Sequence, residues 1–358
     1  MRKNHNSSND YLLSFFEKKK RKDDCFVIAE IGHNHKGSVK IAKNLFLSAK
    51  NCGASAVKLQ KRSNKNLYTK NFFNSIYDNK NSYGKTYGEH REFLEFSESQ
   101  YLELIEYSKE IGITFFATPF DSESVAFLEK LNFPAYKIAS ADLINTPLQT
   151  KIAETKKPIF LSTGGGSFED IERAYKNITK INKNLIILHC TASYPALPKD
   201  MNLNVIPELV KRYSDMVIGL SDHENGIDAA SIAYMLGARV FEKHFTLNRE
   251  MPGPDHFYAL EPKELSSYVK SISKAHDSLG SEKKEMLEDE RANGRRDGIY
   301  AARMISAGEK ITDSDLVIRR PAVGLRSRYF EFVLGATAVR TIAPDAPIIW
   351  DDIRLSES

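Results

Sequence analysis

Two lysines interrupt apolar runs: Lys58 within residues 56–60 (AVKLQ) and Lys137 within residues 135–139 (AYKIA). An unpaired ammonium in such a run is costly, so each calls for an anion. Hydroxyl side chains close other apolar runs at Thr118, Ser162, Thr163 and Ser221, and Ser140 follows the Lys137 run. The glycines at 164–166 lead into a helix start at Ser167. Ammonium groups, hydroxyls and a glycine turn at a helix start form a cradle for a small, phosphorylated, highly anionic substrate. His223 and His244 end two successive runs. On neighbouring strands about 4.8 Å apart, two imidazoles can share one ion. Mn2+, Mg2+ or Zn2+ would suit, with the other positions left to water and substrate oxygens. Glu242 is placed to orient a metal-bound water. Glu30, Gln60 and Asp142 also fall at run ends, Glu30 and Asp142 being candidates for proton transfer. His189 reads as structural.

Groups so far apart in sequence need a scaffold that brings strand ends together. Strands are expected at Phe26–Ile31, Ala56–Gln60, Ile113–Thr118, Tyr136–Ala139, Pro158–Ser162, Leu185–His189, Met216–Leu220 and Val240–His244. Amphipathic helices lie between them, with Ser38, Ser99 and Ser167 as N-caps. Strand starts recur about every 22–31 residues, apart from one step of double length. That spacing predicts a (β/α)8 barrel, whose functional residues sit at the C-terminal strand ends. A doubly wound parallel sheet is the competing architecture. The double step predicts an insertion, a long loop over about residues 71–97. The expected divisions are a polar tail at 1–24, the barrel at 25–280, a charged linker at 281–298 and a small β-rich domain at 299–358. The last has expected strands at Ile299–Ile305, Leu316–Arg319, Ala336–Ile342 and Ile348–Trp350.

Composition narrows the classes. Lys and Arg number 51 against 47 Asp and Glu, giving a net charge of +4, too little for an electrostatically driven nucleic-acid binder. The basic run Lys18–Lys22 has no second cluster to support it and reads as solvated. No apolar run approaches the ~18 residues of a membrane span. The 3 cysteines are distant from one another and lack a CxxC pair, which argues against a disulfide framework or thiolate zinc and fits a reducing cytoplasm.

The stretches AEIGHNHKG (Ala29–Gly37), AVKLQ, FFATPFD (Phe115–Asp121), AYKIASAD (Ala135–Asp142), LSTGG (Leu161–Gly165), LHCTASYP (Leu188–Pro195), IGLSDH (Ile218–His223), EKHFT (Glu242–Thr246) and PGPDH (Pro252–His256) resemble the sialic acid synthase family. AARMISAGEKIT (Ala301–Thr312) and VIRRP (Val317–Pro321) resemble its antifreeze-like (SAF) domain. The resemblance implies condensation of phosphoenolpyruvate with N-acetylmannosamine or a related acetamido sugar. Legionaminic and pseudaminic acid synthases share the motifs and use 6-deoxy-diacetamido sugars. By the same resemblance Lys58, Thr118, Lys137, Ser140, Ser162 and Ser221 match phosphoenolpyruvate ligands. His223 and His244 match divalent-metal ligands, usually for Mn2+, with Mg2+ or Co2+ as alternatives. Glu30 matches a carboxylate near the reacting sugar, and Gln60, Tyr194 and Asp255 match sugar-site positions. Arg320 matches an arginine that the small domain of one subunit inserts into the barrel of the other, which implies a domain-swapped homodimer. Asp142 and Ala192 stand where some members carry Glu and Asn. The rival enzyme readings are a Schiff-base aldolase using Lys58 or Lys137, and a synthase acting on a phosphorylated sugar, for which Arg62 and Arg91 are available. The non-enzymatic reading is a carbohydrate- or ice-binding protein.

Overall fold

The computed structural model describes residues 12, 25–293 and 296–355. The expected polar tail and its basic run therefore lie outside the described residues, except for Leu12, which is fully buried in the barrel core. The chain forms two compact units, Met1–Gly280 and Ser281–Ser358.

The first unit is a closed parallel barrel of eight strands in sequence order. They are β1 (Phe26–Gly32), β2 (Ala56–Lys61), β3 (Thr114–Pro119), β4 (Tyr136–Ile138), β5 (Ile159–Ser162), β6 (Leu185–Cys190), β7 (Val217–Asp222) and β8 (Val240–His244). The barrel closes by pairing β1 with β8, placing Glu30 opposite His244, while on its other side Glu30 is opposite Lys58. Strand side chains alternate between faces, and this alternation sorts the sequence. Phe160 stacks with Phe26 and with Phe116 inside the barrel, at centroid separations of 6.1 and 5.1 Å. Lys58, Thr118, Lys137, Ser162, Ser221 and Glu242 continue the inward positions toward the C-terminal ends. The aromatic floor thus leaves the polar layer above it poorly solvated.

Nine helices of eight residues or more accompany the barrel strands among the first unit's described residues, with two short ones at Asn64–Leu67 and Lys70–Phe73. Helix Val39–Asn51 is capped by Ser38 and buries Ala42, Leu45, Phe46 and Ala49. Helix Phe168–Thr179 carries a reciprocal Ser167–Asp170 capping box. Helix Glu98–Ile111 is capped by Ser97 rather than Ser99. The Ser97 hydroxyl accepts from the Gln100 amide while the Gln100 side chain returns to the Ser97 amide, and that reciprocal pair fixes the start two residues earlier.

The insertion is not a long loop. It contains helices Lys70–Phe73 and Tyr87–Leu94, the latter closed by a Thr86–Glu89 capping box. Aromatic contacts hold it together: Tyr87 meets Tyr68 and Phe72 with centroids 5.1 and 4.6 Å apart. Its tip is tied across the barrel mouth, where the Tyr83 hydroxyl donates to the Pro252 carbonyl and the Gly253 amide donates to Asn81 Oδ1 at 3.3 Å.

In the second unit, helix Glu288–Asn293 occupies part of the charged stretch. Strands β9 (Gly298–Ala301) and β10 (Leu316–Arg319) pair antiparallel, as do β11 (Thr337–Ala338) and β12 (Ile353–Arg354). The strands expected at 299–305 and 336–342 are shorter than anticipated. No strand forms at 348–350; Trp350–Asp352 is a 3-10 turn, because the Asp352 carboxylate accepts from the Ile349 amide at 2.9 Å. Ile299, Ile305, Ile311, Val333 and Ile348 are central to a small separate core.

Candidate active site

The C-terminal strand ends enclose a cavity of about 820 Å³. Glu30, Lys58, Gln60, Thr118, Lys137, Ser140, Ser162, Tyr194, Ser221, His223, Glu242, His244 and Asp255 all line it. Three anticipated site residues do not line it: Thr163, whose hydroxyl donates to the Leu188 carbonyl at 2.9 Å, Asp142, and Arg320 of the second unit.

Both buried lysines have found carboxylates. Lys58 Nζ lies 2.6 Å from Glu30 Oε2, donates to Thr118 Oγ1 at 2.7 Å and is 4.0 Å from Glu242 Oε2. Lys137 Nζ is 3.2 Å from Glu242 Oε1, which also accepts from the Ser221 hydroxyl at 3.1 Å. Burial acts to raise the Glu242 pKa, but the ammonium groups of Lys137 and Lys58 outweigh it and hold the carboxyl below its usual range. Glu242 is thus the internal counter-ion of the lysine pair.

Opposite the lysines, Ser162 Oγ is buried and has no hydrogen-bond partner. The Ser140 hydroxyl accepts from the Gly164 amide at 3.0 Å. A Cβ on Gly164 would meet Ser140 Oγ at 2.8 Å and Ala192 Cβ at 2.9 Å, so the backbone there must be bare for the cradle to keep its shape. The combination of two ammonium groups, an unpaired hydroxyl and a glycine without a side chain is suited to a phosphorylated carboxylate.

The two histidine rings have centroids 5.4 Å apart. His223 Nδ1 meets the Thr191 carbonyl at 2.9 Å, which assigns the proton to Nδ1 and leaves Nε2 with a free lone pair. Burial lowers the pKa of His223, and burial also brings His244 down to about 4, so both rings are neutral at neutral pH. Among the described residues no group of three or more His, Cys, Asp or Glu side chains could hold a metal ion. The two neutral imidazoles are the donors the chain offers an ion here, and any further positions would fall to water or substrate oxygens. Tyr194 packs its ring 4.2 Å from that of His223 and is half exposed, forming a wall of the mouth.

Asp142 does not line the cavity. It belongs to the 3-10 turn Ser140–Asp142, and its Oδ1 accepts from Asn145 Nδ2 at 2.9 Å, which turns the carboxylate toward the following helix. Arg320 lies in the second unit, exposed and paired with Asp297 at 2.5 Å. His189 Nε2 donates to the Met201 carbonyl at 2.7 Å, on the face of β6 away from the site, in keeping with a structural role. Three contributors were not foreseen. Cys190 sits 3.4 Å from Ser140 Oγ and 3.7 Å from His223 Nδ1. Tyr258 packs on the His244 ring at 4.9 Å. His33 lines the mouth between Arg62 and Arg91. The strand period carried a signal for Cys190, since it is two residues beyond inward-facing Leu188 and out of phase with His189.

The NeuB family matches residues 45–284. The chain belongs to that family. A SAF domain matches residues 296–354 of this NeuB-family chain. It is similar to the N-acetylneuraminate-9-phosphate synthase of Mus musculus, 40% identical over 300 residues that cover 83% of this chain and 84% of the mouse protein. It is also similar to the N,N'-diacetyllegionaminic acid synthase of Legionella pneumophila, 33% identical with 92% and 94% of the two chains covered. Among solved structures, the N-acetylneuraminic acid (sialic acid) synthetase of Leptospira borgpetersenii, crystallised with citrate, is 32% identical with a TM-score of 0.66, covering 76% of this chain and 90% of that one.

Proposed function

We propose that this NeuB-family chain is a nonulosonic (sialic) acid synthase. It condenses phosphoenolpyruvate, an acetamido sugar and water, and releases phosphate. The observation that carries the reading is the placement of the Lys58–Lys137 cradle and the His223–His244 pair in one cavity. C3 of phosphoenolpyruvate bonds to the aldehyde carbon of the open-chain sugar, whose oxygen takes up a proton. Water adds at C2 and loses a proton, and the C2–O bond to phosphate breaks to leave a 2-keto acid.

Lys58 and Lys137 receive the anionic groups of phosphoenolpyruvate, which compete with Glu30 and Glu242 for the two ammonium groups. Ser162, Ser140, Ser221 and Thr118 supply hydroxyl contacts, and the Gly164 amide faces the same space. His223 and His244 hold a divalent ion, Mn2+ by family resemblance, which when bound polarises the acceptor carbonyl. Glu30, held by Lys58 and by Gln60 Nε2 at 2.7 Å, is placed to position water or move a proton. With Asp142 turned away, Glu30 is the favoured carboxylate for that role. Tyr194, Asp255 and Gln60 line the acceptor side.

The family resemblance supports a domain-swapped homodimer in which Arg320, exposed on the small unit, reaches the acetamido group in the partner's barrel. Among the described residues no helix is long and apolar enough to cross a membrane, and all three cysteines are free thiols, which fits a cytoplasmic setting. A legionaminic or pseudaminic acid synthase is the second reading, favoured by the likeness to the Legionella pneumophila protein.

The test is phosphate release from phosphoenolpyruvate with Mn2+ and a panel of mannosamine derivatives and diacetamido sugars, with product mass naming the nonulosonic acid. Release dependent on acceptor is expected. His244→Ala should remove the metal-dependent rate. Full activity of that variant in EDTA would sink the metal assignment, and borohydride trapping of a lysine adduct would favour the aldolase.

A further inference from the structure

The two imidazoles at the strand ends are held in different ways. His223 gives its Nδ1 proton to a backbone carbonyl, that of Thr191. His244 Nδ1 meets a side chain instead, the Tyr258 hydroxyl, at 3.5 Å. Tyr258 is buried and lines the cavity. Its ring packs edge to face on the His244 ring and lies 5.4 Å from that of Tyr194. Backbone bonds fix this contact. After β8 the chain makes an excursion and returns: the Leu260 amide donates to the His244 carbonyl at 2.9 Å, and the Thr246 amide donates to the Leu260 carbonyl at 3.0 Å. The return pins Tyr258, just before Leu260, against the ring it touches.

The Tyr258 hydroxyl has a second partner, the Asp255 carboxylate from the same excursion. An ionised carboxylate only accepts, so the single hydroxyl proton of Tyr258 goes to Asp255. The phenol oxygen keeps lone pairs alone, and it accepts from Nδ1–H of His244. The order Asp255–Tyr258–His244 thus sets the ring tautomer, with the proton on Nδ1 and the lone pair on Nε2. A neutral imidazole binds a cation through such a lone pair. With phenylalanine at 258, an Nδ1 proton would be buried against hydrocarbon, which is costly. The ring would then carry its proton on Nε2 and lose the lone pair there. Asp255 is itself held in a polar group. A Cβ on Gly32 would meet Asp255 Oδ2 and Glu30 Oε1 at 3.2 Å each and Gln60 Nε2 at 3.3 Å, so these three side chains converge over a residue that has none.

We propose that Tyr258 is a positioning residue for a divalent ion at the His223–His244 pair, acting through the Asp255–Tyr258–His244 chain to keep the Nε2 lone pair of His244 available. The device differs from the one at His223. A backbone carbonyl is present whatever the side chain, whereas the Tyr258 hydroxyl is removed by deleting one oxygen. The ring of Tyr258 packs and the hydroxyl orients, so the two contributions can be separated by a substitution that keeps the ring.

This inference rests on the ion assignment within the synthase reading, and both of its readouts are taken without substrate. In the first, full-length protein is treated with EDTA, dialysed and titrated with MnCl2, with free Mn2+ followed by electron paramagnetic resonance. Y258F should raise the Mn2+ dissociation constant about tenfold. In the second, long-range 1H–15N correlation spectra are recorded on metal-free protein labelled at histidine, and the His244 signals are identified by their loss in H244Q. The unmodified protein should show the Nδ1–H tautomer at His244, and Y258F should shift it toward Nε2–H. A role in packing alone would leave the tautomer where it is. An Nε2–H tautomer in the unmodified protein would overturn the proposal, and that measurement stands even if Y258F fails to fold. Unchanged Mn2+ affinity or an unchanged tautomer in a folded Y258F would overturn it as well. Failure of the unmodified protein to bind Mn2+, or binding undiminished in H244Q, would take down the ion assignment itself and the role of Tyr258 with it, an outcome distinct from Mn2+ binding that needs His244 and ignores Tyr258.

Discussion

Glu242 is a carboxylate whose surroundings change sharply when an anion enters the barrel. Lys137 and Lys58 hold it ionised against the effect of burial. When phosphoenolpyruvate engages those ammonium groups, burial is left less opposed and the Glu242 pKa rises. Binding near pH 6 should therefore take up a fraction of a proton. Titration calorimetry in buffers of different ionisation enthalpy would show it as a buffer-dependent heat, and Glu242→Gln should abolish that dependence; identical heats in all buffers would contradict it. At this scale the sequence was informative where a side chain was out of place by solvation. Lys58 and Lys137 announced a cradle because an ammonium inside a strand must have a partner. Asp142 misled because proximity to a strand end does not set direction, and the 3-10 turn with Asn145 points it elsewhere. His33 gave no local sign, because its meaning comes from two arginines brought to it by other elements.

Among the elements, the β5–helix connection has little freedom at Gly164. The Gly164 amide donates to Ser140 Oγ, and the added Cβ of Gly164→Ala would press on Ser140, Ala192 and Cys190 at 2.8–3.0 Å. That substitution should raise the phosphoenolpyruvate KM about tenfold or more, with the acceptor KM affected less. Initial-rate kinetics on both substrates would decide, and an unchanged phosphoenolpyruvate KM would remove Gly164 from the cradle. The barrel strands were legible because their period of two places polar groups on one face and apolar groups on the other, as His189 and Cys190 show. The insertion was not legible as helix. Its Asn-, Tyr- and Gly-rich stretch reads as loop, and the helix Tyr87–Leu94 depends on a capping box and on aromatic contacts with Tyr68 and Phe72. In the small unit, strands of two to four residues leave too few alternations to read.

Across the whole molecule, buried neutral histidines set the response to acid. Burial lowers the pKa of His35 to about 3 and that of His244 to about 4, against an ordinary 6.5. Below pH 6.5 the unfolded chain binds protons at these sites while the folded chain refuses them, so stability present above pH 6.5 is lost as pH falls toward 4. Each such histidine contributes up to about 1.4 kcal/mol per pH unit over that window. Buried Glu95 and Asp142, with raised pKa values, oppose the trend in part. Thermal unfolding should show a midpoint that drops between pH 6.5 and 4.5; a flat profile would contradict it. The barrel's closure has a further consequence. Its first and last strands meet with Glu30 opposite His244, and the Phe245 amide donates to the Glu30 carbonyl at 2.8 Å, so the join between chain ends runs through the chemistry. A nascent chain that has not yet made β8 has no complete pocket to offer. The substrate thus acts as a clasp across the seam, gripping only barrels that have shut, and its occupancy favours the closed form by mass action.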